Sequence, residues 1–319
     1  MSTERRPPLN LEFDDVRRIV RDIDETLEPV SVTRLDGGSG DIYRIDLQNC
    51  ANPLVLKTYA DEPAWTPAKE ALVAGWLDRD LGVSIPRWLS LDESRTVLPR
   101  RFAIMTWLAG RMVKSLVGEP DVDAVYRQMG ALLRRIHEIR MDAYGYIVAD
   151  GVWRGQAGNA EYAISTFERL LRRFRNQGGD EQLARRMEKA AGARFDLLEF
   201  SSGPVLCHDD FQQGNLLASR GDDGRLRLTG LIDFGNALAG DAISDLAKTL
   251  FCCAHEDPRS YEPVLHGYGP IHYPEPREAL WLYTMFHRLT MWTWLTSHGV
   301  DPAATGPMGL IRDLDLMMR

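Results

Sequence analysis

Between Leu11 and Leu27 the apolar residues Phe13, Val16, Ile19, Val20, Ile23 and Leu27 recur at three- and four-residue steps, which predicts a surface helix. The next apolar runs are shorter and rich in β-formers. Val30 to Leu35, Ile42 to Leu47 and Leu54 to Tyr59 predict three strands, and a helix over Thr66 to Leu81 is followed by two more strands, Ile85 to Leu91 and Arg101 to Leu108. From Asp121 the helical step returns: Val122, Val125, Met129, Leu132, Leu133, Ile136 and Ile139 form the stripe of a core helix, with His137 beside it as a packing or hydrogen-bonding residue. Tyr144 to Gly158 reads as a loop, and Asn159 to Phe174 and Glu181 to Phe200 as helices. The arginines 169, 172, 173 and 175 lie on the solvated side of the first of these.

The last third alternates again. Val205 to Cys207 is a short apolar run, and Asn215 to Ala218 and Leu226 to Ile232 flank the turn-forming cluster Arg220 to Gly224, so they predict a hairpin. Asp241 precedes an amphipathic run at Ile243, Leu246, Ala247, Leu250 and Phe251, where it can cap a helix. Glu256 to Pro276 holds five prolines without clear periodicity and reads as a long loop, before an aromatic-rich helix from Arg277 to Thr296.

Candidate chemistry concentrates at the hairpin. His208, Asp210 and Asn215 have the order H-x-D-x-x-x-x-N, and Asp233 follows at the end of the returning strand, immediately before Phe234 and Gly235. A hairpin brings Asp233 back beside Asn215, the arrangement a shared metal ion requires. Phosphoryl transfer from a nucleotide calls for this set: one carboxylate to accept the proton of the attacking hydroxyl, plus an amide oxygen and a second carboxylate for magnesium. An isolated D-F-G triplet means little; two loops in this order, each after an apolar run, mean more.

These motifs resemble the aminoglycoside phosphotransferase and choline kinase family, small-molecule kinases related in fold to the protein kinases. In that family the loop usually reads H-G-D-x-x-x-x-N, and here Asp209 replaces the small residue, adding a carboxylate beside the base; Ile232 to Leu246 repeats the pattern I-D-F-G-x-x-x-x-G-D-x-x-x-D-L, whose later aspartates buttress the site. The resemblance implies an α+β, two-lobed, protein-kinase-like fold. Residues 1–107 would form a nucleotide-binding lobe with a small antiparallel sheet, and residues 108–319 a mainly helical catalytic and acceptor-binding lobe. It also implies ATP or GTP as donor, Mg2+ held by Asn215 and Asp233, and Asp210 as the base. Lys57 would contact the phosphates and pair with Glu70, in preference to Asp61 or Glu62. Gly38, Ser39 and Gly40 would cover the phosphates, and the stretch at Met105 and Trp107 would link the lobes and receive the adenine.

Charge refines the acceptor. The net charge of −8 disfavours a nucleic-acid partner and, focused in a cleft, would attract a cationic small molecule. Glu161, Glu256, Asp257 and Glu262, with nearby aromatic rings, are the expected entrance, and an aminoglycoside or related cationic antibiotic is the expected acceptor. A sugar or amino alcohol fits the chemistry as well, and a phosphohydrolase or a non-catalytic nucleotide-binding module is the alternative class. The four cysteines form no paired framework, and no signal peptide or membrane span is evident, so a cytoplasmic enzyme with reduced thiols is expected.

Overall fold

The computed structural model describes residues 9–35, 40–48, 50–59 and 63–300. Helix α1 (Phe13–Ile23) precedes strands β1 (Pro29–Leu35), β2 (Ile42–Leu47) and β3 (Leu54–Tyr59); helix α2 (Thr66–Leu77) precedes β4 (Trp88–Asp92) and β5 (Arg101–Thr106). The five strands form one antiparallel sheet in the order β1-β2-β3-β5-β4. Side chains of a strand alternate between faces, and that alternation builds this sheet. Leu54 and Leu56 of β3 and Phe102 and Ile104 of β5 pack with Val16, Ile19 and Val20 of α1, while Val55, Tyr59, Ala103 and Met105 form a separate cluster. Lys57, two residues from Val55 and from Tyr59, therefore lies on the face away from α1.

The remainder is mainly helical. After β6 (Arg111–Met112) come α3 (Val122–Ile136), the hairpin β7 (Tyr144–Val148) and β8 (Gly151–Gln156), α4 (Asn159–Asn176) and α5 (Glu181–Gly192). Then follow β9 (Val205–Cys207), β10 (Leu216–Arg220), β11 (Leu226–Leu231), β12 (Leu238–Gly240), α6 (Ala242–Glu256), α7 (Tyr261–Tyr268) and α8 (Pro276–Ser297). One large core joins these helices, and Val73, Ala74 and Leu77 of α2 belong to it, so α2 ties the sheet region to the helical region. Among the described residues no helix is long and apolar enough to cross a membrane.

Several segments differ from the sequence reading. Strand β4 starts at Trp88 instead of Ile85, because Pro86 interrupts it and Ser84 instead bonds across to Thr229 and Leu231. The expected loop from Tyr144 to Gly158 is a hairpin, with an irregularity between Tyr144 and Tyr146 and Arg154 in the left-handed region at φ 46°. The helix from Glu181 stops at Gly192, and Phe195–Phe200 is a 3-10 turn. The proline-rich stretch from Glu256 contains the helix α7. That helix lies against α3 where Gly130 and Gly267 allow backbone contact: a Cβ on Gly267 would stand 1.9 Å from the Arg127 carbonyl oxygen, and one on Gly130 2.0 Å from that of Val264. Overpacking against backbone has no side chain to yield, so Gly267→Ala is expected to lower stability by about 2–3 kcal/mol. An unchanged thermal midpoint would contradict this close crossing.

Candidate active site

Strand β3 and helix α2 bring a buried ion pair to the cleft face of the sheet. Lys57 Nζ lies 2.8 Å from Glu70 Oε1, 3.0 Å from Oε2 and 3.2 Å from Asp233 Oδ1. The Tyr59 hydroxyl donates to Glu70 Oε2 at 2.8 Å, fixing the carboxylate from the same strand face. Burial alone would push the Lys57 ammonium down, but the Asp233 and Glu70 carboxylates outweigh it and hold the proton above the usual lysine range. Burial holds the Glu70 carboxyl up even with Lys57 beside it. The competing partners Asp61 and Glu62 lie outside the described residues.

The second half of the site is a loop gripped by its neighbours. Strand β9 pairs with β12 and delivers His208, which is buried, with Nε2 3.2 Å from the Ile232 carbonyl oxygen. Asp209 is left-handed at φ 54°, a conformation that costs a non-glycine residue on the order of 1 kcal/mol and that Asp tolerates better than most. This explains why a small residue suits the position. Asp245 on α6 accepts the N–H groups of His208 at 2.8 Å and Asp209 at 3.0 Å. Asp210 Oδ1 accepts from Gln212 Nε2 at 2.9 Å, and Asn215 Nδ2 donates to the Asp210 carbonyl at 2.8 Å and to Oδ2 at 2.9 Å.

The hairpin of β10 and β11 closes the site as expected. Leu216 pairs with Leu231, and the Ile232 N–H donates to the Asn215 carbonyl at 3.0 Å, so Asp233 emerges beside Asn215. Asp233 is also left-handed, at φ 67°. Burial opposes its ionisation, but the Lys57 ammonium wins and holds the carboxyl below the ordinary range. For Asp210 the balance is reversed: burial, reinforced by the Asp233 charge, raises its carboxyl despite His208, Lys248 and the Asn215 bond. The added carboxylate of Asp209 points instead to Lys248, 2.8 Å from its Oδ2. The residues suit a hard divalent cation: both Asn215 N–H groups needed for positioning go to Asp210, which leaves the amide oxygen to join the Asp233 carboxylate as an oxygen donor.

The remaining expected positions are less open. Gly40 sits at the bend before β2, and Gly38 and Ser39 lie outside the described residues. Met105 is buried inside β5, paired with Val55 and Trp88, so its side chain belongs to the sheet cluster. Trp107 follows the strand end with the Arg44 guanidinium 4.9 Å above its ring, and its N–H reaches the Pro53 carbonyl at 3.4 Å. Of the expected entrance carboxylates, Glu256 pairs with Lys114 at 2.9 Å, and buried Asp257 binds Tyr126 and Arg259.

Three residues escaped the sequence reading. Asp41, buried directly before β2, accepts from the Leu9 N–H, Arg34 and Arg100. Lys69, next to Glu70, donates to the Gly235 carbonyl at 2.7 Å, and burial pushes its ammonium down to about 8. Lys248 is the third. A lysine on a helix ordinarily signals solvent, so no local pattern marks either of the last two. His137, as expected, is a hydrogen-bonding residue, between Tyr268 at 2.8 Å and Asp245 at 3.1 Å. His137, Asp245 and Cys207 lie close enough for a metal, but the His137 and Asp245 ligand atoms are already engaged and burial keeps the Cys207 thiol protonated.

An antiparallel sheet crossed by a lysine–glutamate pair, facing a loop with Asp210 and Asn215 and a second loop with Asp233, defines a kinase-like fold. The family model of the phosphotransferase enzyme family matches residues 31–280, and the chain belongs to that family. Solved structures agree on the fold. A thermostable mutant of aminoglycoside phosphotransferase APH(4)-Ia in ternary complex with ADP and hygromycin B is 16% identical, with a TM-score of 0.71 over 96% of this chain and 98% of the other. A candidate fructosamine-3-kinase from Thermobifida fusca YX-ER1 is 20% identical, with a TM-score of 0.65 over 95% and 98%. ADP-bound APH(2'')-Ib is 17% identical, with a TM-score of 0.62 over 97% of each chain. No curated protein sequence matches the chain.

Proposed function

We propose that the protein transfers the γ-phosphoryl group of ATP to a hydroxyl of a small polyhydroxylated molecule, of the aminoglycoside or a related cationic class. The reading is carried by the convergence of Lys57, Glu70 and Asp233 with the loop that holds Asp210 and Asn215. Asp210, its carboxyl raised by burial, accepts the proton of the acceptor hydroxyl as that oxygen bonds to the γ-phosphorus; the bond to the β-phosphate oxygen breaks and its electrons stay on ADP. Lys57, held by Glu70, neutralises phosphate charge. Asn215 and Asp233 would hold Mg2+, which when bound supplies charge for the phosphate oxygens. Gly38, Ser39 and Gly40 cover the phosphates, the stretch from Met105 to Trp107 takes the adenine, and residues 1–107 and 108–319 form the two lobes.

Support for a cationic acceptor comes from the similarity to a hygromycin B complex and from the net charge of −8. A neutral sugar-type acceptor is the second reading. It is favoured by the internal commitments of Glu256 and Asp257. A panel of aminoglycosides, hygromycin-type antibiotics, amino alcohols and neutral sugars, assayed for magnesium-dependent ADP release, separates the two. The best kcat/KM is expected with a cationic compound, with an advantage that shrinks as salt is added. A neutral acceptor that wins by about tenfold, about 1.4 kcal/mol, would overturn the cationic assignment.

A further inference from the structure

Asp209 departs from the family's small residue, and the structure shows what accompanies the change. Helix α6 grips the Asp209 peptide at both ends: Asp245 Oδ1 accepts its N–H at 3.0 Å, and the Lys248 ammonium donates to its carbonyl oxygen. The same ammonium is 2.8 Å from Asp209 Oδ2. Asp245 and Lys248 are three residues apart on α6 and so share one face. Both charged side chains of the pair are largely enclosed, Lys248 being 18% and Asp209 22% exposed. The Asp210 charge also acts on Lys248, but among the described residues Asp209 is the carboxylate in direct contact with the ammonium. Burial pushes the Cys252 thiol up to about 12 and His287 down to about 4, which leaves both neutral.

We propose that Asp209 and Lys248 form one positioning pair for Asp210: Lys248 holds the backbone and the side chain of Asp209, so that the left-handed turn that aims the next residue is kept without a glycine. The inference rests on the phosphotransfer reading above. Each partner needs the other. An aspartate here without the lysine is a second enclosed carboxylate next to Asp210 that has lost its contacting counter-charge and keeps only the field of Lys69, and a lysine here without the aspartate is an enclosed cation against the reacting loop. A glycine needs neither, because it adopts positive φ without a Cβ conflict. The pair is therefore reciprocal: removing one member disturbs Asp210, and removing both restores a simpler solution.

A double-mutant cycle in the full chain tests this. Asp209→Gly, Lys248→Met and the double variant are assayed with saturating ATP and magnesium, with hygromycin B as acceptor and separately with water alone, and their thermal midpoints are recorded. Each single change is expected to lower kcat about tenfold or more with KM for ATP within about twofold, and the double variant is expected to return to within about threefold of the parent. Lys248→Arg, which keeps the charge, should retain more kcat than Lys248→Met. Single variants with unchanged kcat, or a double variant whose loss is the product of the two, would overturn the proposal. If Lys248→Met does not fold, Asp209→Asn carries the test: it tolerates positive φ but lacks the charge, so it must lose kcat, and full activity contradicts the pair. A parent that releases no ADP with hygromycin B, with any acceptor of the panel above or with water alone contradicts the phosphotransfer reading and removes the pair's role with it, whereas an active parent with an additive cycle contradicts the pair alone.

Discussion

Replacing Asp233 with alanine should lower phosphoryl transfer by roughly 10³-fold or more, the several kcal/mol that a bound metal contributes to transition-state charge. Magnesium-dependent affinity for ATP should fall as well, because Asp233 emerges beside Asn215, is held ionised by Lys57, and is the carboxylate assigned to the metal while Asp210 is assigned to the acceptor proton. Two other effects of the change are separable. Lys57 keeps Glu70 at 2.8 Å, so the ammonium is not stranded. The left-handed backbone at φ 67° suits alanine less well than aspartate, so Asp233→Asn is the control. Asparagine accepts that backbone but offers one oxygen and no charge, and it should lose nearly as much. Calorimetry that shows unchanged magnesium-dependent affinity in both variants would contradict the assignment.

Asp210→Asn should act on the chemical step instead. A positioned general base contributes about 10²–10⁴-fold, so kcat should fall within that range while nucleotide affinity stays nearly constant. Asparagine keeps one acceptor oxygen for the Asn215 bond, while its NH2 faces Gln212, whose amide can turn its own oxygen to accept, which preserves the loop. Asp209 is the discriminating comparison. Its carboxylate is turned to Lys248, and an Asp209→Asn protein that is dead while Asp210→Asn stays active would place the base one residue earlier than the geometry does.

The parts of this architecture that are legible in the sequence are those set by local period and short loops. The strand that carries Lys57 and the helix that carries Glu70 are legible from local pattern, and the resemblance to kinases pairs the two residues in advance. The return of Asp233 to Asn215 follows from a hairpin with an evident turn. What is hidden depends on contacts distant along the chain. Helix α7 lies among prolines, and it is held by a backbone crossing at Gly130 and Gly267 that no periodicity announces. The strands β7 and β8 are irregular, and β7 depends on β12, far along the chain, for its other partner. Asp209 looks in sequence like a like charge beside Asp210; only the fold brings α6 near enough for Lys248 to neutralise it. Glu256 and Asp257 look free for a ligand, and the fold commits them to Lys114, Tyr126 and Arg259.

The most direct test of phosphoryl transfer at Asp210 follows the phosphate itself. With γ-labelled ATP, magnesium and the best acceptor of the panel, the parent protein is expected to place the label on the acceptor as a phosphate monoester, and Asp210→Asn to do so at about 10²–10⁴-fold lower rate with unchanged ATP affinity. Label that appears only as inorganic phosphate, or a monoester formed equally fast by Asp210→Asn, would contradict the account.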